Sequence, residues 1–457
     1  MQSELIKHLK NVGVTANGRT AFATMGTPLE ELFAKMGVCR GESLEQEFDS
    51  AFIADEDMAI RALLYLRDCR GGMGEREHFR KLVAQLPKDK AIRVMLKVPE
   101  LGRFDDLQAF LGLGFNDTIL LFWLDELYKG NGLAAKWVPR KGPVFKAMAK
   151  LAEMGYGDFR RMIVGLTNVV ETQMCQGNWD EINFNHVPSK AMTIYRKAFH
   201  RHTEKYGQWL DDLKAGKPTA KVNVKGVFPH EVVKAGPGLA DAMWDAMPEF
   251  ENAGSILPII DVSGSMGTTS GAQGYSCMDI AVSLGAFLSE KCVGPFQNYF
   301  ITFSGDPKLQ ELQGQGILNK LANLKRADWG FNTDLDKSMR LILDTAKRIG
   351  LPQDQMPKVL LVLSDMQFDS PSYGGRNNRA AGPDTIKMFQ DAGYEPPLVV
   401  FWNLREYAES RPTDGNDSGV MMVSGFSPTI LNSILNNQSK SNLEMIKDTL
   451  SNPRYDY

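Results

Sequence analysis

Apolar positions recur at helical spacing along the first half of the chain. Met58, Ala62 and Leu66 are the clearest example, because residues four apart lie on one face of a helix. Thr27 followed by Glu30 has the form of a capping box, which marks the start of a helix. We predict helices at residues 27–36, 43–53, 55–66, 75–86, 88–97, 105–111, 117–127, 144–154, 158–174 and 189–213. Amphipathic helices in such a run bury their apolar faces by stacking, so we predict an α-helical repeat domain, a HEAT-like solenoid.

The pattern changes after residue 253, where continuous apolar runs alternate with helical ones. We predict strands at 255–262, 297–303, 358–364, 397–402 and 420–424, and helices at 278–292, 317–324, 335–349, 384–392 and 428–435. Strands that are apolar throughout are buried on both faces, so the alternation predicts a mainly parallel, Rossmann-like α/β sheet covered by helices. Pro258 lies inside the first strand and cannot donate to a ladder, so we interpret it as a strand start or a bulge.

The same patterns give domain boundaries. A chain of 457 residues has room for two or three domains. The segment 215–237 is rich in glycine, proline and lysine, which is typical of a connection between domains. We predict an α-helical domain at 1–235, a linker at 236–254 and an α/β domain at 255–457.

The composition is that of an ordinary globular protein, with 43% hydrophobic and 23% charged residues. The polar start MQSELIKHLK lacks a signal-peptide core, and no run of eighteen uncharged apolar residues occurs, so we expect a cytoplasmic protein with no membrane partner. The five cysteines contain no CxxC pair, and we expect them to be reduced thiols, with neither a disulfide framework nor a zinc site.

The net charge of −3 is unevenly distributed. Residues 129–234 contain 18 lysines and arginines against 9 acids, a net charge of +9, so the rest of the chain carries −12. A basic middle in an acidic protein indicates a local anionic partner, although a set of solvated helix faces would give the same composition.

The clearest chemical signal is the segment DVSGS, Asp261 to Ser265, at the end of the first strand of the α/β region. Ligands of open α/β sheets bind outside the carboxyl ends of the strands, and the strand 358–364 places Asp365 at the same edge. Hydroxyl and carboxylate oxygens suit Mg²⁺. We predict a site for Mg²⁺, or another divalent cation, whose ligands are Asp261, Ser263, Ser265, Thr333 and Asp365.

The alternative is a simple turn with helix-capping serines. The order of strand, motif, helix, Thr333 and second strand favours the metal site, and Gly264 allows the backbone to turn past the ion. The two carboxylates only balance the charge of the cation, so an open coordination position would attract a carboxylate of a partner or a phosphate. The arrangement resembles the von Willebrand A fold with its metal-ion-dependent adhesion site.

A second distinctive stretch is RDCRGGMGER, which starts at Arg67 and lies between two predicted helices. Backbone amides, a helix N-terminus and the guanidinium groups of Arg67, Arg70 and Arg76 would suit an RNA phosphate. The alternative is a structural turn whose arginines pair with Asp68 and neighbouring acids.

A helical N-terminal region with this turn, followed by a DVSGSM metal site, resembles the Ro autoantigen (TROVE) family. The resemblance is closer to an uncharacterised Ro-like branch, on the segments at 175–189, 364–368 and 401–405. It implies a ring of helical repeats closed by the A domain, and a ribonucleoprotein that binds small noncoding or misfolded RNA.

The helix predicted at 189–213 supports RNA binding independently, because four of its cations share one face. A solvated helix face would have the same pattern. We predict RNA contacts at Arg67, Arg70, Arg76, Arg140, Lys141, Arg160, Arg161, Lys190, Lys197, Arg201 and Lys205. The apolar face of the helix, formed by Ala191, Tyr195, Ala198, His202 and Trp209, should be core.

The leading hypothesis is a non-enzymatic RNA-binding scaffold with a Mg²⁺-dependent protein or ligand partner and no DNA partner. The alternative is a metal-dependent protein–protein adaptor or assembly factor without RNA. An enzyme is disfavoured because the sequence has no HExxH, P-loop or GxSxG motif and no second carboxylate cluster.

Overall fold

The computed structural model describes residues 11–39, 42–224, 226–248, 255–268, 270, 274–303, 306–325, 334–369, 380–405, 411–413, 415, 417–426, 430–436 and 440–457. Two compact units divide the chain between them. The sheet unit comprises Met1–Ala62, Phe228–Lys234 and Met247–Arg454, and the helical unit comprises Leu63–Val227, Ala235–Ala246 and Tyr455–Tyr457.

The predicted fold class is confirmed: a largely helical region precedes a mostly parallel sheet. The α-helices before the sheet are Pro28–Met36, Glu45–Ala54, Glu56–Arg67, Glu77–Leu82, Lys88–Leu101, Asn116–Tyr128, Gly132–Trp137, Pro143–Leu151, Tyr156–Leu166, Val170–Gln176, Ser189–His202, Glu204–Lys214, Pro229–Val232 and Leu239–Asp245. Those that alternate with the strands are Cys277–Lys291, Ile317–Leu324, Leu335–Ile349, Ala381–Asp391, Ile430–Asn436 and Asn442–Leu450.

Two long predicted helices are each divided. The segment 158–174 forms parts of Tyr156–Leu166 and Val170–Gln176. The segment 189–213 breaks at Thr203, whose backbone is extended (φ −150°, ψ 135°) and whose hydroxyl accepts from the Lys205 N–H at 3.2 Å. The same hydroxyl donates to Asp180 at 2.6 Å. A threonine with two such bonds ends one helix and caps the next.

The sheet unit contains a two-stranded hairpin, β1 (Val12–Val14) and β2 (Thr20–Phe22), and a six-stranded sheet. The strands of the larger sheet are β3 (Ile256–Asp261), β4 (Tyr299–Phe303), β5 (Lys308–Glu311), β6 (Val359–Ser364), β7 (Leu398–Asn403) and β8 (Val420–Ser424). They lie side by side in the order β5-β4-β3-β6-β7-β8. All neighbours are parallel except the edge strand β5, which is antiparallel to β4. The first strand of this sheet along the chain, β3, is therefore central.

Helices pack on both faces of this sheet. On one face, Ile259 and Val362 share a core with Met339 of the helix Leu335–Ile349 and Met388 of the helix Ala381–Asp391. On the other face, Gly285 of the helix Cys277–Lys291 lies so close that an added Cβ would be 2.5 Å from the Ile260 side chain. Glycine at this position allows the helix to approach the central strand.

Pro258 does lie inside the central strand. It is opposite Leu361 of β6, while pairing with β4 begins only at Ile259. The proline is therefore paired with β6 on one side of the strand, and it precedes the residues of β3 that pair with β4 on the other side. The strand contains the proline without a bulge among its described pairings.

The predicted domain boundaries differ from those of the structure, because residues 11–62 belong to the sheet unit. The short hairpin formed by β1 (Val12–Val14) and β2 (Thr20–Phe22) was not predicted. Residues of its turn contact the rest of the sheet unit. Thr15 Oγ1 donates to the Phe368 carbonyl at 2.6 Å. The Arg19 side chain, 1% exposed, pairs with Asp336 at 2.9 Å and with Asp384 at 3.0 Å.

The following helix, Pro28–Met36, also packs in the sheet unit. Ala34 is part of the sheet's core, and the Phe33 carbonyl accepts from Ser424 Oγ at 3.3 Å. The buried Glu30 accepts from Asn442 Nδ2 at 3.2 Å. The segment predicted as a linker, 236–254, contains the helix Leu239–Asp245, whose Ala240 and Met243 are fully buried in the helical unit.

An aromatic core holds part of the helical unit together. Phe184 contacts the rings of Phe199, Tyr206 and Trp209 at centroid distances of 5.2, 5.2 and 5.8 Å. In the helix Ser189–His202 the buried side chains include Met192 and Phe199, whereas Tyr195 is only partly buried and His202 is exposed. The predicted core face is thus wrong at His202.

Candidate functional site

The candidate metal centre lies at the carboxyl ends of β3 and β6, two adjacent parallel strands. Their register sets Ile260 opposite Leu363, so the next residues, Asp261 and Ser364, are neighbours. The Ser364 hydroxyl donates to Asp261 Oδ2 at 2.7 Å, and the Ser263 N–H donates to Asp261 Oδ1 at 2.9 Å. Both carboxylate oxygens of the fully buried Asp261 are therefore oriented by hydrogen bonds.

The turn after β3 brings two hydroxyls to this site. The Oγ atoms of Ser263 and Ser265 are 3.0 Å apart. Ser263 has an extended backbone (φ −67°, ψ 163°) and precedes the short 3₁₀ helix Gly264–Gly267, so its side chain and that of Ser265 face the same way. The spacing of the motif thus produces a pair of adjacent oxygen donors.

Asp365 follows β6 and is completely buried. Its Oδ1 accepts from the Gln367 N–H at 3.3 Å, while its Oδ2 has no hydrogen-bond partner among the described residues. Arg405 Nη1 lies 3.7 Å from that oxygen. Met366, the next residue, has a φ of +66°, a left-handed conformation that is unusual for methionine and turns the chain sharply away from the strand end.

The electrostatics of the two acids favour a cation. Burial and the neighbouring charge of Asp365 raise the pKa of Asp261 to about 7, against hydrogen bonds from Ser364 and Ser263. Burial also raises the pKa of Asp365, and it outweighs the Gln367 and Ser265 hydrogen bonds and the charge of Arg405. Two buried carboxylates that resist ionisation together are the arrangement that a divalent ion would stabilise.

The structure brings together Asp261, Ser263, Ser265 and Asp365, as the sequence predicts. Their oxygen ligands fit Mg²⁺: two carboxylates and two hydroxyls, with one buried carboxylate oxygen that accepts no hydrogen bond from any described residue. Thr333, the fifth predicted ligand, lies outside the described residues. The next residue, Asp334, accepts from the Lys337 N–H at 3.2 Å and caps the helix Leu335–Ile349.

Sequence reasoning missed two residues of this site. Ser364 orients Asp261, and its only signal was its place as the last residue of an apolar run. Arg405 follows β7, and nothing in the local pattern indicated that it would lie beside Asp365. A polar residue that ends a buried parallel strand lies near the end of the neighbouring strand, and this places Ser364 beside Asp261.

The RDCRGGMGER turn is structural, and the predicted RNA contact at Arg67 is wrong. The Arg67 side chain is 3% exposed and its guanidinium binds the fully buried Asp106 at 2.7 Å. Arg80 Nε binds the same carboxylate at 2.8 Å. Asp68 is also fully buried and accepts from the Arg70 N–H at 2.9 Å and from the Tyr455 hydroxyl at 3.2 Å.

Arg70 and Arg76 are exposed at this turn. Arg70 donates to the carbonyl of Glu100. The partial desolvation of its guanidinium and the charges of Arg103 and Arg80 lower the pKa of Arg76. Arg76 lines an open groove of about 510 Å³ together with Arg80, Lys81 and acidic residues that include Asp105. The mixed charge of the groove gives it no clear preference for an anion.

The helix Ser189–His202 presents an exposed basic face. Lys190, Lys197 and Arg201 are exposed, and neither Lys197 nor Arg201 forms an ion pair within the described part of the chain. Ile194, 69% exposed, lies between them on the same face. Lys205 belongs to the next helix, and its Nζ donates to the Asp180 carbonyl at 2.6 Å.

The other predicted RNA-binding residues are of two kinds. Lys141 and Arg160 are exposed, and Arg160 donates to the Arg140 carbonyl at 2.7 Å. Arg161 is exposed but pairs with Asp158. Arg140 is half-buried, donates to Thr167 at 2.9 Å, and has its pKa lowered by burial and by Arg160.

A central first strand that ends in a buried acid, serines on the turn that follows it, and a second acid after the neighbouring strand define a von Willebrand A-type sheet, here in a chain that also has a helical unit. Two family models match the chain, and both carry the description "Domain of unknown function": DUF7788 over residues 255–453 and DUF2828 over residues 158–252.

One curated relative matches nearly the whole chain. The "Uncharacterized protein L728" of Acanthamoeba polyphaga mimivirus is 27% identical over an alignment of 514 residues including gaps, which covers 97% of this chain and 88% of that protein. Among solved structures, the crystal structure of the Deinococcus radiodurans RO (RSR) protein is similar with a TM-score of 0.47 and 14% identity, over 90% of this chain and 99% of that chain. In the described residues, no helix is both long enough and apolar enough to cross a membrane.

Proposed function

We propose that this protein is a non-enzymatic, RNA-binding scaffold whose sheet unit binds Mg²⁺ and offers it to an anionic group of a partner. The observation that supports metal binding is the buried Asp365 Oδ2, which has no hydrogen-bond partner in the described part of the chain and lies at the strand edge where Asp261, Ser263 and Ser265 also converge. A buried carboxylate oxygen without a partner is costly, and coordination of a cation would remove that cost.

At this site Asp261 and Asp365 would supply the charge that holds Mg²⁺, and the serine hydroxyls would complete part of its oxygen shell. When bound, the ion supplies a positive centre for an oxygen ligand from outside the chain. Ser364 keeps Asp261 in place by its 2.7 Å hydrogen bond. The partner's contacting group would be a carboxylate or a phosphate, because a hard cation prefers such oxygens.

The proposed RNA binding is supported by the basic face of the helix Ser189–His202. Its exposed Lys197 and Arg201 are free of ion pairs within the described residues, so phosphate binding would break no ion pair there. Ile194 adds exposed apolar surface between Lys190 and Lys197 on this face, where a ribose or base could pack. The resemblance of the sequence to Ro-like proteins points to the same class of ligand.

The experiment is a salt titration of binding to a fluorescein-labelled RNA hairpin with a single-stranded 3′ tail, measured by anisotropy. The double variant Lys197→Glu/Arg201→Glu should weaken binding and flatten the log–log salt dependence by about 0.7 to 0.9 per lost phosphate contact. The control Lys214→Glu/Lys217→Glu makes the same change in charge at lysines that already pair with Asp211 and Asp212. It should affect binding less.

The second candidate is a metal-dependent adaptor without an RNA ligand, which the same metal-site geometry supports. If the wild type and the double variant bind the labelled RNA equally, the proposed RNA binding is wrong and the adaptor is favoured. Non-enzymatic character is tested separately: RNA cleavage by the wild type that stops in Asp261→Ala would contradict it.

A further inference from the structure

The loop after β7 is fixed by its own hydrogen bonds. Asn403 Oδ1 accepts from the Arg405 N–H at 3.0 Å, and Asn403 Nδ2 donates to the Arg405 carbonyl at 3.3 Å. Between them Leu404 is fully buried; its N–H donates to the Ser364 carbonyl at 3.1 Å, and its carbonyl accepts from the Cys277 thiol at 3.3 Å. The backbone of Arg405 is thereby held against the strand ends that form the metal centre.

From this position the guanidinium reaches one particular atom. Arg405 Nη1 is 3.7 Å from Asp365 Oδ2, the oxygen that makes no hydrogen bond among the described residues. That distance is too long for a hydrogen bond, so the lone pairs of Oδ2 remain open to another ligand. The Arg405 side chain is 38% exposed and therefore lies at the mouth of the site, where it meets solvent.

We propose that Arg405 is an internal counter-ion of the metal centre, which neutralises Asp365 when no cation is bound and thereby lowers the affinity of the site for Mg²⁺. The inference rests on the metal binding proposed above. A guanidinium stays charged at every physiological pH, so its positive charge is permanent. A divalent cation that binds Oδ2 must approach this charge, and the repulsion weakens binding.

The same charge makes the metal-free protein more stable. Asp261 and Asp365 are both buried at the ends of adjacent parallel strands, where their negative charges would repel one another. Without Arg405, that repulsion would be opposed only by hydrogen bonds. The proposal therefore predicts opposite effects of one substitution: lower stability without metal and tighter binding of metal.

The test uses the full-length chain after removal of metal with EDTA. Isothermal titration with MgCl₂ gives the Kd, and thermal unfolding in EDTA gives the stability without metal. We expect Arg405→Gln to bind Mg²⁺ at least about tenfold more tightly, equivalent to about 1.4 kcal/mol, and to melt at a lower temperature in EDTA. Arg405→Lys, which keeps the charge, should stay near the wild type in both measurements.

Arg348→Gln is the matched control, because it removes an exposed arginine from the helix Leu335–Ile349 of the same unit. It should change neither quantity. A merely structural role of Arg405 would lower the melting temperature and leave the Mg²⁺ affinity unchanged, which would overturn the proposal. Weaker Mg²⁺ binding by Arg405→Gln would overturn it as well.

Failure of the proposed function looks different. If the wild type binds no Mg²⁺, the metal site and the role of Arg405 are both wrong. If the wild type binds Mg²⁺ and Asp365→Asn abolishes binding, the site is sound, and an unchanged Kd in Arg405→Gln would then reject only the counter-ion.

Discussion

The buried ion pairs of Arg19 provide a quantitative test of how the N-terminal segment belongs to the sheet unit. The guanidinium binds Asp336 and Asp384, which lie on the helices Leu335–Ile349 and Ala381–Asp391. The three side chains are 1%, 9% and 3% exposed. Substitution Arg19→Met keeps much of the side-chain volume but leaves two buried carboxylates without this cation.

The cost follows from the burial. Removal of one member of a buried ion pair destabilises a protein by about 3–5 kcal/mol, because the remaining charge keeps its desolvation penalty. Arg19 serves two carboxylates, so we expect a loss in the upper part of that range. The triple variant Arg19→Met/Asp336→Asn/Asp384→Asn removes the stranded charges as well, and it should recover a large part of the loss.

Hydrogen exchange read by mass spectrometry measures this loss unit by unit, which matters because a protein of two units need not unfold in one step. Peptides that cover β6 should exchange with an opening free energy lower by about 3–5 kcal/mol in Arg19→Met. Arg348→Met, an exposed change on the same helix as Asp336, should stay within about 0.5 kcal/mol of the wild type. A change below about 1 kcal/mol in Arg19→Met would refute the reasoning.

Three further predictions concern the helical unit. Gly72→Ala should destabilise it by more than about 3 kcal/mol in urea unfolding, because the new Cβ would lie 2.1 Å from the Tyr65 carbonyl oxygen. Gly207→Ala, in open space on a helix, should instead stabilise it by about 0.5–1 kcal/mol, and a loss there would contradict the assignment of that helix. Burial raises the pKa of Asp105, but hydrogen bonds from Arg80 and Arg103 outweigh it and hold the pKa below its usual value. The contribution of Asp105 to folding stability is thus present above the ordinary carboxyl pKa of about 3.9 and is lost as pH falls through the folded-state pKa. Asp105→Asn should therefore lower the free energy of unfolding by about 1–2 kcal/mol at pH 7 and by less at pH 3. An equal loss at both pH values would contradict the ion pairs.

The metal centre shows which residues of a site can be predicted from local sequence and which cannot. The motif from Asp261 to Ser265 and the acid after β6 could be placed at one sheet edge, since parallel strands share their carboxyl ends. Arg405 could not be placed there, because its approach to Asp365 depends on a turn that Asn403 and the buried Leu404 hold in position.

The turn at Arg67 shows the opposite case, in which a distinctive motif gave a wrong prediction of an RNA contact. Three arginines around three glycines indicate an anion site when they are considered alone. The partner of Arg67 is Asp106, which is 39 residues further along the chain and has no local signal that would assign it. Only packing shows that this charge is already neutralised inside the helical unit.

By itself the sequence determined most of the helices, five of the six strands of the large sheet, the mainly parallel character of that sheet and four of the residues that meet at its edge. These features follow from periodic burial and from strand direction, which are properties of short segments. The tertiary structure alone decided that residues 11–62 pack with the sheet, that Arg67 forms a buried ion pair with Asp106 and that Arg405 lies beside Asp365. Those facts join residues far apart in the chain, and a local pattern of hydrophobicity carries no information about which distant charge a buried charge will meet.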